Sequence, residues 1–463
     1  MSAEAAMNQP PAVEPVPRRT LFCYGLADMP IQMAAIPVLS LVPAYYTSSL
    51  GVSVAAASAV LLGSRLFDAV TDPLIGWLSD RTNSRYGRRR LWMAASVPVF
   101  MLATYKLFLP SGPVDALYML TWLVVFWLGW TMLFIPYYAW GAEISPDYNE
   151  RTRVTAWRTG IGLGASVVSK LVPVLAGFFL GMAAISDNLL LIGIMMLVLL
   201  PLTVGGTLVG VTERTDYLPP RLPLLPGLKV MWHNGPFKRL VLALFVNQLG
   251  AAISTVTVAL FILDALDQKE HVMLMLLVFF TFNLSGVPFW LRVARRIDKH
   301  HAWCLGLFGF AGFHCVYMLL GPGDFYLMLP ITACTGFLGA SFAVVPTSML
   351  ADIADLDTLE SGEDRAAWYF AVWSFVVKVG QSVGPALAFA LLAWVGYDPS
   401  EGAVNTEGEI LGLRMLYSFG PAIGFALCAL IAWNYPLSRE RHQAIRAQLQ
   451  AVRTSGSSSD QTV

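Results

Sequence analysis

Between Arg65 and Asp72 the chain reads Arg65-Leu-Phe-Asp68-Ala-Val-Thr71-Asp72, inside a run that is otherwise largely apolar. Asp68 and Asp72 are four residues apart, so a helix carries both on one face, and Arg65 lies one turn before Asp68 on that side. Charge inside a membrane-length apolar run is costly and by default marks a functional site. Hard cations take oxygen ligands, and this spacing supplies them from a single helix. The chemistry indicated is reversible binding of a small monovalent cation or a proton, with no covalent catalysis and no resident cofactor or metal. The competing reading is a structural salt-bridge network between helices.

These residues need a membrane-embedded scaffold. The chain has 463 residues, 56% hydrophobic and 13% charged, against about 25% charged in soluble proteins. About twelve apolar runs of spanning length occur, near 21–46, 54–79, 89–109, 116–140, 155–180, 187–211, 237–263, 272–294, 302–320, 325–350, 366–395 and 411–436. The reading is an all-α membrane protein. Span 1 carries Pro30, Pro37 and Pro43 and is expected to bend. Lys and Arg concentrate after the even-numbered spans: Arg81, Arg85, Arg88, Arg89 and Arg90 after span 2, Arg151 and Arg153 after span 4, Arg295, Arg296 and Lys299 after span 8. The loop after span 11 has four acids and no base. Both termini are therefore expected on the cytoplasmic side of the cell membrane. A net charge of zero argues against nucleic acid as a partner. The five cysteines show no metal-ligand spacing.

The sequence divides into a tail over 1–20, a first half over 21–211, a linker over 212–236, a second half over 237–436 and a tail over 437–463. Ser79-Asp80-Arg81 recurs weakly as Ile297-Asp298-Lys299, and Pro136…Glu143…Trp157 recurs as Pro346…Asp352…Trp368. Two parallel six-span halves around a midplane site are the major facilitator architecture. No phosphate-binding glycine loop for an ATP-driven pump is present.

The pattern Asp68-x-x-x-Asp72-Pro73-x-x-Gly76-x-x-x-Asp80-Arg81-Thr82-x-x-Arg85-x-Gly87-Arg88 resembles the glycoside–pentoside–hexuronide:cation symporter family. Tyr24-Gly25, Tyr45-Tyr46-Thr47, Ile135-Pro136-Tyr137, Ala351-Asp352-Ile353-Ala354-Asp355 and Lys378 extend the resemblance over most of the chain. The resemblance implies a cation site of Asp68, Thr71, Asp72 and Thr131. Lys378 and Arg65 would serve coupling, with Lys378 competing with the cation for an aspartate. It also implies a solute site. There, Gln32 and Phe134 stand where galactoside-carrying members have acids, Tyr138 stands for a sugar-stacking tryptophan, and Arg158 matches a binding arginine. Asp28 and Trp373 are further candidates. A galactoside is disfavoured, because charged hydrogen bonds to polyols are the stronger kind and both acids are replaced.

Other charged residues fit less specific roles. Asp80, Arg81, Arg85, Arg88, Glu143, Arg151, Asp352 and Asp355 are expected to form a cytoplasmic gate of ion pairs across the bundle, individually weak. Lys170 matches no motif; it is a substrate anchor or it snorkels to an interface. His314 reads as a structural histidine. Trp77 and Trp140 read as interface-belt residues. Three functions follow: a sodium-, lithium- or proton-coupled symporter of a sugar or glycoside, a symporter of an amphipathic lysolipid-like or other organic solute, or a non-transporting sensor or scaffold. The partners expected are a small solute, a monovalent cation and the lipid bilayer, and nothing in the first two readings requires more than a monomer.

Overall fold

The computed structural model describes residues 15–82, 84–145, 148–213, 234–268, 270–361, 366–400, 403–445 and 447–448. Most of the expected linker therefore lies outside the described residues, as do most of the first tail and much of the last. The described residues contain twelve helical segments long and apolar enough to cross a membrane. The helices are α1 (Arg18–Leu26), α2 (Asp28–Ser48), α3 (Val54–Arg81), α4 (Arg88–Phe108), α5 (Ala116–Glu143), α6 (Tyr148–Leu180), α7 (Ile185–Gly210), α8 (Gly235–Leu260), α9 (Val272–Arg296), α10 (Lys299–Val316), α11 (Phe325–Ser361), α12 (Ala366–Val395) and α13 (Glu407–Trp433).

Span 1 is α1 and α2 with a break at Ala27. Pro30 has no N–H for the Leu26 carbonyl, which removes a rung of the ladder there. Span 7 ends in a π-helical turn, Phe261–Ala265. Helix α11 runs to Ser361, well beyond the apolar stretch that ends near 350. Hydropathy delimits the part in lipid, while the helix continues through the polar turns that carry Asp352, Asp355 and Asp357. The last tail also differs from a plain tail. A short helix over 439–445 packs Leu437 and Ile445 into the core of the last six spans.

The packing repeats. Within the first six spans α2 packs on α6 and α7, α3 on α5, and α4 on α5 and α7. Six spans later α8 packs on α12 and α13, α9 on α11, and α10 on α11 and α13. The seams between the two sets obey the same exchange. α3 meets α12, α6 meets α9, and α2 meets α8. This is the two-half arrangement of the major facilitator fold.

Among the described residues, polar contacts across the α3–α12 seam include one toward the side opposite the termini. Ser58, near the start of α3, donates to the Ala386 carbonyl in the far third of α12 at 2.8 Å. On the terminal side of α6, Thr155, Ala156, Thr159 and Gly160 are exposed. An open depression of about 330 Å³ there is lined by Ala156, Trp157, Gly160 and Ile161.

Candidate functional site

Helix α5 carries one continuous face of Trp127, Thr131, Phe134 and Tyr138, at steps of four, three and four residues. Successive side chains therefore stack along one side. Two polar clusters hang on that face.

At the first cluster, the Thr131 hydroxyl lies 2.8 Å from Asp68 Oδ1 and 3.0 Å from Asp72 Oδ1. Arg65 reaches Asp68 Oδ2 at 3.4 Å and lays its guanidinium over the Trp127 ring, 3.5 Å from the centroid. Lys378 on α12 pairs with Asp72 Oδ2 and stands 3.8 Å from Asp68 Oδ2. Asp68, Arg65 and Thr131 are buried. Two carboxylates and two cations balance in charge, so the desolvation cost of each ion is offset by its partners rather than left uncompensated. The protons do not balance. A hydroxyl has one hydrogen to donate, so one of the two Thr131 contacts is oxygen against oxygen unless a proton or a cation lies between. The Thr71 hydroxyl donates to the Asp68 backbone carbonyl at 3.1 Å, which leaves its oxygen lone pairs free to accept. This donation is the usual i−3 back-bond of a threonine in a helix.

At the second cluster, Asp28 is buried at the start of α2. Its carboxylate accepts from Gln32 Nε2 and from the Tyr138 hydroxyl, each at 3.3 Å. Arg158 of α6 covers the Tyr138 ring at 3.9 Å, and its Nε is buried without a hydrogen-bond partner. Phe134 lies against Tyr138, centroids 4.1 Å apart, and faces Lys378 at 5.9 Å. It thus separates the clusters. Tyr24 and Tyr137 brace the site from below, each hydroxyl donating to the other's backbone carbonyl at 3.0 and 2.8 Å. Gly162 lets α6 approach: a Cβ there would lie 2.1 Å from Asp28 Oδ2. Trp373 is half-buried and packs against the apolar core of the last six spans.

Among the described residues, Arg88, Glu143 and Asp352 of the expected gate find ion-pair partners within their own half. Arg88 reaches Glu143 Oε1 at 2.9 Å. Arg89 takes the same oxygen at 2.9 Å and donates to Ser79 Oγ at 2.8 Å. All of these are in the first half. In the second half Asp352 pairs with Lys299 at 2.7 Å, and His442 of the tail helix reaches Asp352 at 3.3 Å and Asp355 at 3.0 Å. Arg81 and Arg85 are exposed and lie over the rings of Trp77 and Tyr86. The Asp80 and Arg151 side chains lie outside the described residues.

His314 is buried, with Nδ1 3.3 Å from the Tyr417 carbonyl and its ring stacked on Phe310. Trp140 is fully buried and not at an interface, because α5 runs on past it to Glu143. Sequence reasoning passed over Trp127 and His442. Trp127 had a usable signal in its spacing of four from Thr131. His442 had none, since only the fold brings the tail to Asp352.

The chain matches a family model described as MFS/sugar transport protein over residues 23–439. An uncharacterized symporter of Synechocystis sp. is 26% identical, with 96% of this chain and 99% of that protein covered. The sodium-dependent lysophosphatidylcholine symporter 1-A of Danio rerio is 24% identical over 93% of this chain and 88% of its own. The isoprimeverose transporter of Lactiplantibacillus pentosus is 24% identical over 92% and 90%. A crystal structure of a D-xylose–proton symporter superposes with a TM-score of 0.66 at 14% identity, covering 90% of this chain and 97% of that one. With its twelve spans, its paired halves and this match, the chain belongs to the glycoside–pentoside–hexuronide symporters of the major facilitator superfamily and is a symporter, not an enzyme.

Proposed function

We infer that the coupling ion, sodium, lithium or a proton, binds among Asp68 Oδ1, Asp72 Oδ1 and Thr131 Oγ1. The observation carrying this is the single Thr131 hydrogen set between two carboxylate oxygens at 2.8 and 3.0 Å. A monovalent cation or a shared proton removes the resulting repulsion. Lys378 is then the ion's competitor. An ion arriving at Asp72 releases the ammonium, and α12 is freed from α3. That ties ion binding to a seam between the halves, as alternating access requires.

The organic solute occupies the Asp28–Gln32–Tyr138–Arg158 cluster. Its hydrogen-bonding groups suit the hydroxyls of a sugar or glycoside, and the isoprimeverose transporter lends this class its support. The Phe134–Tyr138 face favours a second class, an amphipathic solute such as a lysolipid, which the lysophosphatidylcholine relatives support. The Arg88–Arg89–Glu143 and Lys299–Asp352–His442 groups, one in each half, are the two parts of the gate. One chain suffices for this cycle.

The test is uptake into proteoliposomes under a sodium or proton gradient. Asp72→Asn is expected to abolish ion-driven accumulation while sparing solute exchange. Full gradient-driven uptake by Asp68→Asn and Asp72→Asn would sink the assignment and favour a scaffold or sensor.

A further inference from the structure

Lys170 stands at the start of the last third of α6, ten residues from its end at Leu180, about 15 Å at 1.5 Å per residue. It is fully buried, so it does not snorkel. Its ammonium donates to Ser166 Oγ at 2.9 Å and Ser169 Oγ at 3.1 Å and lies 4.7 Å from the Phe280 ring of α9. Among the described residues no carboxylate is placed within ion-pair distance of it. A buried ammonium so placed carries a desolvation cost that serines and a ring offset only in part.

The symmetry of the fold says what is missing. The α6–α9 seam is the counterpart of the α3–α12 seam, since exchanging the halves converts one into the other. Each seam carries one lysine inside a spanning segment, Lys378 on α12 and Lys170 on α6. Lys378 finds Asp68 and Asp72 on α3. In the register that sets Asp298 against Asp80, Gly286 and Trp290 of α9 stand opposite those aspartates, and α9 contains no acid at all. One seam holds its own anion and the other does not.

We propose that Lys170 is the recognition residue for an anionic group of the solute, a carboxylate or a phosphate, which supplies the counter-charge that α9 lacks. This rests on the solute reading above and narrows it to acidic or phosphate-bearing members of either class. Gly162, where α6 touches Asp28, is eight residues from Lys170. An acidic end and a hydroxyl-bearing end would therefore sit about 12 Å apart along α6. The α6–α9 seam closes over Lys170 on the side opposite the termini. An anion bound there while the seam is parted would remove the cost of burying the ammonium, so the correct solute itself would favour closure.

The probes are an alkyl glucoside, the matching alkyl glucuronide, and lysophosphatidylglycerol, a lysolipid whose phosphate leaves it net anionic. Each is titrated against the full-length protein in sodium, with the thermal midpoint as readout. Wild type is expected to respond more strongly to an anionic probe than to the glucoside; response to the glucuronide or to the phospholipid separates carboxylate from phosphate. Lys170→Met should bind that probe about tenfold or more weakly, the scale of a charged hydrogen bond, and lose the preference, while Lys170→Arg keeps it. Ligand-free Lys170→Met should melt at or above wild type, because an uncompensated charge has been removed. Equal response to neutral and anionic probes, silence toward both anionic probes, a preference that survives Lys170→Met, or a lower ligand-free midpoint would each overturn the proposal. Asp72→Asn separates the two readings: it should lose the sodium effect and keep the anion preference.

Discussion

At the scale of single residues, the functional weight falls on groups whose charges or protons do not close on their own. Thr131 has one hydrogen for two carboxylates. Thr131→Val should weaken the coupling ion by about 1–3 kcal/mol, the cost of leaving buried carboxylate oxygens short of a partner, measured as a rise in the sodium concentration for half-maximal uptake. Lys378 closes the charge count of the same cluster. Breaking a buried pair from one side costs about 3–5 kcal/mol, so Lys378→Met should lower the midpoint of the ion-free protein. Sodium should restore much of that loss, and thermal melts with and without the ion would show it. The acid pair is legible in the sequence because charge inside an apolar run has few innocent explanations. The hydrogen-bond partners are not. Thr71 and Thr131 are both hydroxyls near carboxylates in the sequence, and only the packing of α5 on α3 puts the second against the acids and leaves the first on its own backbone.

At the scale of elements, helices were readable from apolar run length and their ends were not. Helix α11 outlasts its apolar stretch, and the tail after α13 docks on the core through Leu437 and Ile445. Both depend on polar turns and distant contacts that run length does not register. The charged residues after the even-numbered spans are recognisable by type, yet their partners depend on how α3, α4 and α5, and α10, α11 and the tail, pack together. Close helix approach is equally invisible in a linear pattern. Gly162 permits α6 to lie against Asp28 and Gln32. Gly162→Ala should force that seam apart at about 1–3 kcal/mol and impair solute binding more than ion binding, measured by separate titrations of the two ligands.

At the scale of the whole molecule, the first and last six spans exchange under one symmetry, and the seams between them are where the conformational cycle must act. Ser58 and Ala386 meet on the side opposite the termini. A Ser58→Cys, Ala386→Cys pair should cross-link under oxidation, halt uptake, and recover on reduction. Undiminished uptake by fully cross-linked protein would mean that this seam never opens. The face of α5 that runs from Trp127 to Tyr138 has a thermodynamic consequence. Both clusters are mounted on one rigid rod, with Phe134 touching the surroundings of each. A tilt or rotation of α5 that improves one must disturb or improve the other. Linkage then demands reciprocity: whatever factor the ion contributes to solute affinity, the solute returns to ion affinity. Replacing Phe134 by a small side chain should shrink both factors together, leaving two sites that bind without informing one another.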